Sequence, residues 1–172
     1  RTVVLLVAAL TIGSVAFGGA VLGAASNQDD TQEATSVRAF HGSPDAPNVD
    51  VYVDEQAIAT NLSFGQASDY QSLDAVANAS QNHSLVVTAA GNRSAVVLER
   101  NVSLEPNNSS TIVISGEISE GAETSLEPLV LTDNATEPAE GTAAVRMAHL
   151  SPDAGTVDVT VQETGDVLFE NV

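Results

Sequence analysis

The sequence predicts an all-β fold: an immunoglobulin-like antiparallel β-sandwich of about seven strands. Short apolar runs bounded by turn residues recur from Val37 onward. In the same region, no stretch keeps apolar residues at helical spacing over three turns. Seven short strands over about 100 residues is typical of such a sandwich, and a small barrel is the alternative.

The first two strands flank a polar turn. The run VRAFH (residues 37–41) predicts the first strand, and VDVYV (residues 49–53) predicts the second. In the second run, three valines alternate with Asp50 and Tyr52, so the valines share one face. The segment SPDA (residues 43–46) between the runs predicts a tight turn, since proline fixes φ near about −65° and aspartate bonds nearby amides.

Five further runs complete the strand count. We expect strands near DYQSL (residues 69–73) and at residues 84–90, 94–100, 111–118 and 128–133. The segments AAGNR, LEPNNSS and SEGAET between them contain the glycine, proline and asparagine residues that turns require. A linker that contains Pro138, Gly141 and two glutamates follows at residues 134–143.

The opening motif occurs twice. Residues 37–53 and 145–161 align without gaps and share Val, Arg, His, Ser-Pro-Asp-Ala, Val-Asp-Val and a final Val. This predicts a tandem array, with a first copy at residues 37–133 and a truncated second copy at 144–172. The residues of the repeated signature that we assign a structural role are His41, Ser43, Pro44, Asp45 and Asp50, and their counterparts His149, Ser151, Pro152, Asp153 and Asp158.

The charge of the chain is strongly negative. The 172 residues include 23 acidic and five basic residues, for a net charge of −18, and every basic residue is arginine. Carboxylates without lysine fit a protein that works in concentrated salt, which screens their mutual repulsion; a merely acidic secreted protein is the alternative. This charge argues against a nucleic-acid partner. The absence of cysteine excludes disulfides and a thiol nucleophile.

The amino-terminal segment predicts export. Residues 2–25 contain no charged residue and are rich in Val, Leu, Ala and Gly. Such a segment is a cleaved signal peptide, a retained membrane anchor or a pilin-like assembly helix. Each of the three places the rest of the chain outside the membrane, and contact with the membrane is expected only through residues 2–25 if they are not cleaved. Residues 26–36 then read as an acidic linker.

The repeated motif also resembles a known family. The segment VRAFHGSPDAPNVDVYVD (residues 37–54) looks like the opening signature of the domain-of-unknown-function family 4397, and residues 61–73 and 129–133 resemble its later segments. The resemblance implies a β-sandwich of secreted and surface proteins from bacteria and halophilic archaea, often in tandem copies. It implies no activity and no catalytic residue.

Two histidines occupy equivalent positions in the repeat. His41 and His149 each precede a turn aspartate by four residues, at Asp45 and Asp153. Such a pair suits acid–base chemistry or a metal ion, but the parity of the first strand predicts inward-facing side chains that bond the turn. His83 is predicted to lie in a loop. We therefore expect no catalytic residue and no bound cofactor.

Calcium is the metal ion that the carboxylates suit best. Asp45, Asp50 and Asp54 can offer oxygen ligands, but their spacing does not match an EF-hand loop, and we expect Asp50 and Asp54 on an outward strand face. The catalytic motifs Gly-x-Ser-x-Gly and His-Glu-x-x-His and a phosphate-binding glycine loop are all missing from the sequence.

Signals for N-glycosylation are frequent. Ten asparagines have a residue two places on, and for eight of them it is Ser or Thr. This predicts glycosylation of an exported protein, and chance occurrence in polar loops is the alternative. The eight sites are Asn61, Asn78, Asn82, Asn92, Asn101, Asn107, Asn108 and Asn134.

Together these features predict a non-enzymatic cell-surface module with a structural, adhesive or ligand-presenting role. Its expected partners are other cell-envelope proteins or glycans. The two alternatives are an extracellular hydrolase, which needs a converging catalytic site, and a pilin-like filament subunit, which rests on residues 2–25.

Overall fold

A computed structural model describes residues 34–74, 80–133, 138–151 and 153–172 of the chain. Over these ranges, no helix is long and apolar enough to cross a membrane. The predicted amino-terminal helix and most of the acidic linker lie outside the described residues. The strands in these ranges are β1 Ser36–His41, β2 Val49–Val53, β3 Gln56–Leu62, β4 Gln71–Ser72, β5 Asn82–Ala89, β6 Val96–Ser103, β7 Ser109–Ser115, β8 Glu127–Thr132, β9 Val159–Thr160 and β10 Val167–Phe169.

Two four-stranded sheets form the body of the molecule. Sheet A has the strand order β4-β1-β7-β8, and sheet B has the order β3-β2-β5-β6. This arrangement confirms the predicted all-β sandwich. One pairing differs from the antiparallel prediction, because β1 and β7 run parallel. A long crossover through sheet B joins these two strands, and only a tight hairpin would force them to be antiparallel.

The core lies between the inward faces of the two sheets. Sheet B contributes the three valines of β2 together with Leu85 and Val87 of β5, as the alternation of residues 49–53 predicted. Sheet A contributes Val37 and Ala39 of β1 and Ile112 and Ile114 of β7, and all these side chains are fully buried. Each buried Val, Leu or Ile stabilises the fold by about 1.5–3 kcal/mol relative to an exposed one.

Strand β3 was not predicted from the sequence. Its buried residues are Ile58, Ala59 and Leu62, which do not alternate, since the β2–β3 register shifts twice. The turn before it also lacks the usual hairpin signal: Asp54 and Glu55 have φ of 48° and 69°, where a two-residue turn of this kind usually has Asn-Gly.

Several strand ends differ from the prediction. β7 ends at Ser115 rather than at residue 118, because Gly116 has φ of 90° and turns the chain out of the sheet. β5 begins at Asn82, two residues earlier than expected, so His83 belongs to a strand and not to a loop. β4 has only two residues, Gln71 and Ser72.

The second repeat forms a hairpin that resembles β2–β3. Strands β9 and β10 pair antiparallel, and the backbones of Val157 and Val172 exchange hydrogen bonds of 3.1 and 3.0 Å. In the first repeat, Val49 is the counterpart of Val157 and pairs with Leu62. Residues 145–149, which correspond to β1, form no strand with the described part of the chain. The boundaries of the two predicted copies stay a prediction.

Candidate functional site

His41 is the last residue of β1 and is fully buried. It lies next to the turn of residues 43–46, which we call the signature turn. The backbone N–H of Ser43 donates to its Nδ1 at 3.3 Å, so the ring proton belongs on Nε2. From there Nε2 donates to the carbonyl oxygen of Pro47 at 3.0 Å. Both ring nitrogens of His41 therefore hold the backbone of the turn in place.

Asp45 joins the signature turn to the loop after β7. Its carboxylate accepts hydrogen bonds from the backbone N–H groups of Ile118 at 3.0 Å and Ser119 at 2.9 Å. The hydroxyls of Ser119 and Ser43 donate to it at 2.6 and 3.2 Å. These bonds, above all the one from the Ser119 hydroxyl, lower the pKa of Asp45 from 3.8 to about 2. Asp45 is therefore an acceptor that stays ionised down to strongly acidic pH.

His41, Ser43 and Asp45 do not form a catalytic arrangement. A serine nucleophile needs a histidine that accepts the proton of its hydroxyl. Here the hydroxyl of Ser43 donates to Asp45, while His41 accepts the backbone N–H of the same serine. Ser43 is also fully buried. The converging site that the hydrolase alternative needs does not exist at these residues.

Asp50 has the outward strand position expected from the sequence, but its side chain is buried. It lies on the face of β2 opposite the valines, but two neighbouring segments enclose it, and only 6% of it is exposed. Its carboxylate accepts hydrogen bonds from the backbone N–H of Asn61 at 2.7 Å and of Gly91 at 2.9 Å. Asp50 thus fastens the end of β3 and the β5–β6 turn to β2.

The structure also pairs two residues that sequence reasoning did not connect. Nδ1 of His83 lies 2.6 Å from Oδ2 of Asp54, and the backbone N–H of Ser84 donates to the other carboxylate oxygen of Asp54 at 2.8 Å. His83 is 1% exposed, because it shares the inward parity of Leu85 and Val87. That period of two is the signal that predicts its burial; its partner follows only from the β2–β3 turn.

The second ring nitrogen of His83 lacks a hydrogen-bond partner within the described ranges. Nε2 is buried and makes no hydrogen bond with the residues that the structure describes. With the proton on Nδ1, the ring donates to Asp54 and leaves Nε2 as an unfilled acceptor, a cost of about 1–3 kcal/mol. A buried Nε2 also offers no access to a substrate, so this dyad is not an acid–base site.

The candidate calcium ligands are each occupied by the protein. Asp45, Asp50 and Asp54 accept hydrogen bonds from three different sets of backbone N–H groups. Across the described ranges, no group of three or more His, Asp or Glu side chains is placed to hold a metal ion. The carboxylates of Asp45, Asp50 and Asp54 therefore hold backbone segments in place through hydrogen bonds.

The second repeat reproduces two of these contacts. His149 Nε2 lies 3.2 Å from the carbonyl oxygen of Gly155, the counterpart of the Pro47 contact of His41. Asp158 accepts from the backbone N–H of Asn171 at 2.9 Å, as Asp50 does from Asn61. Of the remaining signature residues, Ser151 and Asp153 are exposed, as is Pro44 in the first repeat, and Pro152 lies outside the described residues.

The candidate glycosylation sites in the described ranges lie on sheet B or in turns next to it. Five of these asparagines are exposed and Asn108 is half-buried. On the outer face of β5–β6, Asn82 lies opposite Ser103 and Asn101 lies opposite Ser84, so two acceptor sequences are direct neighbours. Asn61 lies on β3, Asn92 in the β5–β6 turn, and Asn107 and Asn108 in the β6–β7 turn, while Asn78 and Asn134 lie outside the described residues.

A shallow cleft of about 360 Å³ runs between β6 and the loop after β7. Val96 and Ile118, each more than 40% exposed, form part of its walls, and Glu99, Arg100 and Glu117 line it. None of the residues singled out from the sequence lines this cleft.

Comparison with known proteins identifies the family of the chain. A family model described as "Domain of unknown function (DUF4397)" matches residues 35–160, a range that includes the first occurrence of the repeated motif and all but the last residue of the second. No curated protein and no solved structure matches the chain.

Proposed function

Because this chain belongs to the DUF4397 family of domains of unknown function, we propose a role from its own residues: a non-enzymatic module of an exported cell-surface protein. The module has a structural, adhesive or ligand-presenting role and occurs in tandem copies. The observation that carries this proposal is the use of His41, Asp45 and Asp50, whose polar atoms all bind backbone groups of neighbouring loops. Signature side chains whose polar atoms hold loops in place suit a structural scaffold better than a catalyst.

Two features support a position outside the cell. The apolar residues 2–25 suit an export signal or anchor. The exposed acceptor asparagines on sheet B, Asn82 and Asn101, suit N-linked glycans that cover this face of the module. Neighbouring envelope proteins or glycans are then the partners that the module meets.

Proteolysis of intact cells tests this location. We expect a glutamate-specific protease, which suits a chain with five arginines and no lysine, to release peptides of residues 37–172 from unlysed cells of the native host. Peptides that contain Asn92 or Asn101 should show sugar mass additions, because both asparagines are exposed. A cytosolic protein serves as the control for lysis. Detection only after lysis would refute surface exposure, and unmodified peptides at every acceptor site would refute the glycan part alone.

The surface charge supports adaptation to high salt. The whole chain has a net charge of −18, and the acidic side chains of the described residues are mostly on the surface, for example Glu55, Asp69, Glu120 and Glu123. At low ionic strength these carboxylates repel one another over roughly 10 Å or more, whereas the screening length falls to about 3 Å at about 1 M salt. The folded state therefore gains stability as salt is added.

Thermal unfolding at two salt concentrations measures this effect. Between about 3 M and about 0.1 M KCl, we expect the melting temperature to fall by roughly 10 °C or more, which corresponds to about 2 kcal/mol for a domain of this size. The double variant Glu120→Gln/Glu123→Gln should lose less stability at low salt, since it carries fewer repelling charges. Equal melting temperatures at both concentrations would refute salt adaptation.

A further inference from the structure

The outer face of sheet A carries a buried residue that the core does not explain. On this face, Phe40, Val113 and Leu129 lie side by side on β1, β7 and β8. Val113 is only 3% exposed, although it points away from sheet B and is not part of the core cluster. A segment of the protein must therefore cover the outer face at this position.

An arginine of the second repeat contacts one end of this outer face. Arg146 donates to the carboxylate of Asp133 at 3.0 Å and to the carbonyl oxygen of Thr132 at 2.6 Å, at the end of β8. Asp133 is itself held in place, because Thr111 and Tyr70 donate to its carboxylate at 2.5 and 2.8 Å. Burial and the hydrogen bond to Asp133 raise the pKa of Tyr70, so the tyrosine stays a donor.

A leucine four residues further along the chain contacts the other end of the outer face of sheet A. Cδ1 of Leu150 lies 3.1 Å from the position that a Cβ atom would take at Gly42, and the ring of Phe40 lies 3.5 Å from the same position. Gly42 follows β1 directly, and its backbone N–H donates to the carbonyl oxygen of Ile114 at 2.7 Å. Leu150 therefore packs at the opposite end of sheet A from Arg146.

The distance between these ends fits an extended chain. From Ser110, which pairs with Thr132, to Ile114 the sheet advances by four residues, or about 13 Å. The four steps from Arg146 to Leu150 cover the same length when extended. An extended path of residues 146–150 across the outer face of sheet A, in the direction of β1, therefore joins the two end contacts.

We propose that the outer face of sheet A is the docking surface for the following repeat, which Arg146 anchors at the end of β8 and Leu150 anchors beside Gly42. This inference rests on the tandem arrangement of the proposed function. Its occupant is the second copy of the signature segment, and the contacts are direct hydrogen bonds and packing. The packing of Leu150 is apolar and does not depend on screening, whereas the ion pair of Arg146 with Asp133 is partly exposed and weakens as salt is added. Neighbouring repeats therefore keep a fixed orientation relative to each other and do not move independently on a flexible linker.

Distance measurements between two spin labels test the docking. The chain has no cysteine. A double variant with Glu99→Cys on β6 and Glu163→Cys after β9 therefore carries spin labels at these two positions and at no other. At high salt we expect a narrow distribution of distances. An unanchored repeat on a flexible linker of about ten residues would spread over roughly 15–20 Å. We expect Arg146→Gln or Leu150→Ala to broaden the distribution toward that range.

A matched variant makes the result specific. Arg100→Gln removes an exposed arginine whose guanidinium bonds only its neighbour's carbonyl group on β6 among the contacts described, and it should leave the distribution narrow. Melting temperatures near that of the parent would show that the sandwich of each variant is folded. A broad distribution in the parent, or a narrow one in both anchor variants, would overturn the docking. Neither outcome bears on surface exposure, which the proteolysis of intact cells tests separately.

Discussion

Replacing Gly116 by alanine is expected to lower the free energy of unfolding by more than about 3 kcal/mol, or to prevent folding. Two causes add. Gly116 has φ of 90°, a conformation that side chains disfavour. A Cβ at this position would also lie 2.1 Å from the carbonyl oxygen of Ser125, far inside contact distance, and the clashing atom is backbone. The β7–β8 loop would have to move.

That movement would reach the signature turn. Gly116 leads from β7 into the segment whose backbone N–H groups, from Ile118 and Ser119, bind Asp45. When this loop shifts, the carboxylate of Asp45 loses the bonds that lower its pKa. We therefore expect the pKa of Asp45 in any folded Gly116→Ala protein to rise from about 2 toward its ordinary value, which an NMR titration would detect.

Gly121→Ala is the matched control. Gly121 lies in the same loop with φ of 86°, but nothing lies within 4 Å of the position of its Cβ. Backbone strain alone should cost about 1–2 kcal/mol there. Chemical unfolding of both variants separates strain from collision. Equal losses in the two variants would show that the contact with Ser125 is unimportant.

Replacing Asp50 by alanine should cost about 3–5 kcal/mol. The change removes the acceptor of the backbone N–H groups of Asn61 and Gly91, and the lost carboxylate belongs to a residue that is only 6% exposed. Each unsatisfied buried donor costs about 1–3 kcal/mol, and the lost bonds were to a charged group. Denaturant unfolding measures the loss.

The second repeat again supplies the control. Asp158 makes a similar bond, to the N–H of Asn171, but it is exposed, so water can replace the lost carboxylate. Asp158→Ala should therefore cost less than about 1 kcal/mol. A loss for Asp50→Ala no larger than that for Asp158→Ala would refute the fastening role of the buried carboxylate.

Local patterns in the sequence predicted the class of fold and the inward face of its central strands. The alternating valines of residues 49–53 and the repeated Ser-Pro-Asp-Ala turn are signals that neighbouring residues carry by themselves. The inward parity of His41 follows from the same alternation. The period of two also predicts the burial of His83, once β5 is extended to Asn82.

Only the tertiary structure decided which segments meet. No local signal predicted strand β3, the parallel pairing of β1 and β7, the bond between Asp54 and His83 or the bond between Arg146 and Asp133. The physical reason is that alternation specifies the face on which a side chain lies, whereas its partner depends on strand order and register. The sequence by itself determined a sandwich with a repeated signature; the fold decided that the signature's carboxylates fasten loops.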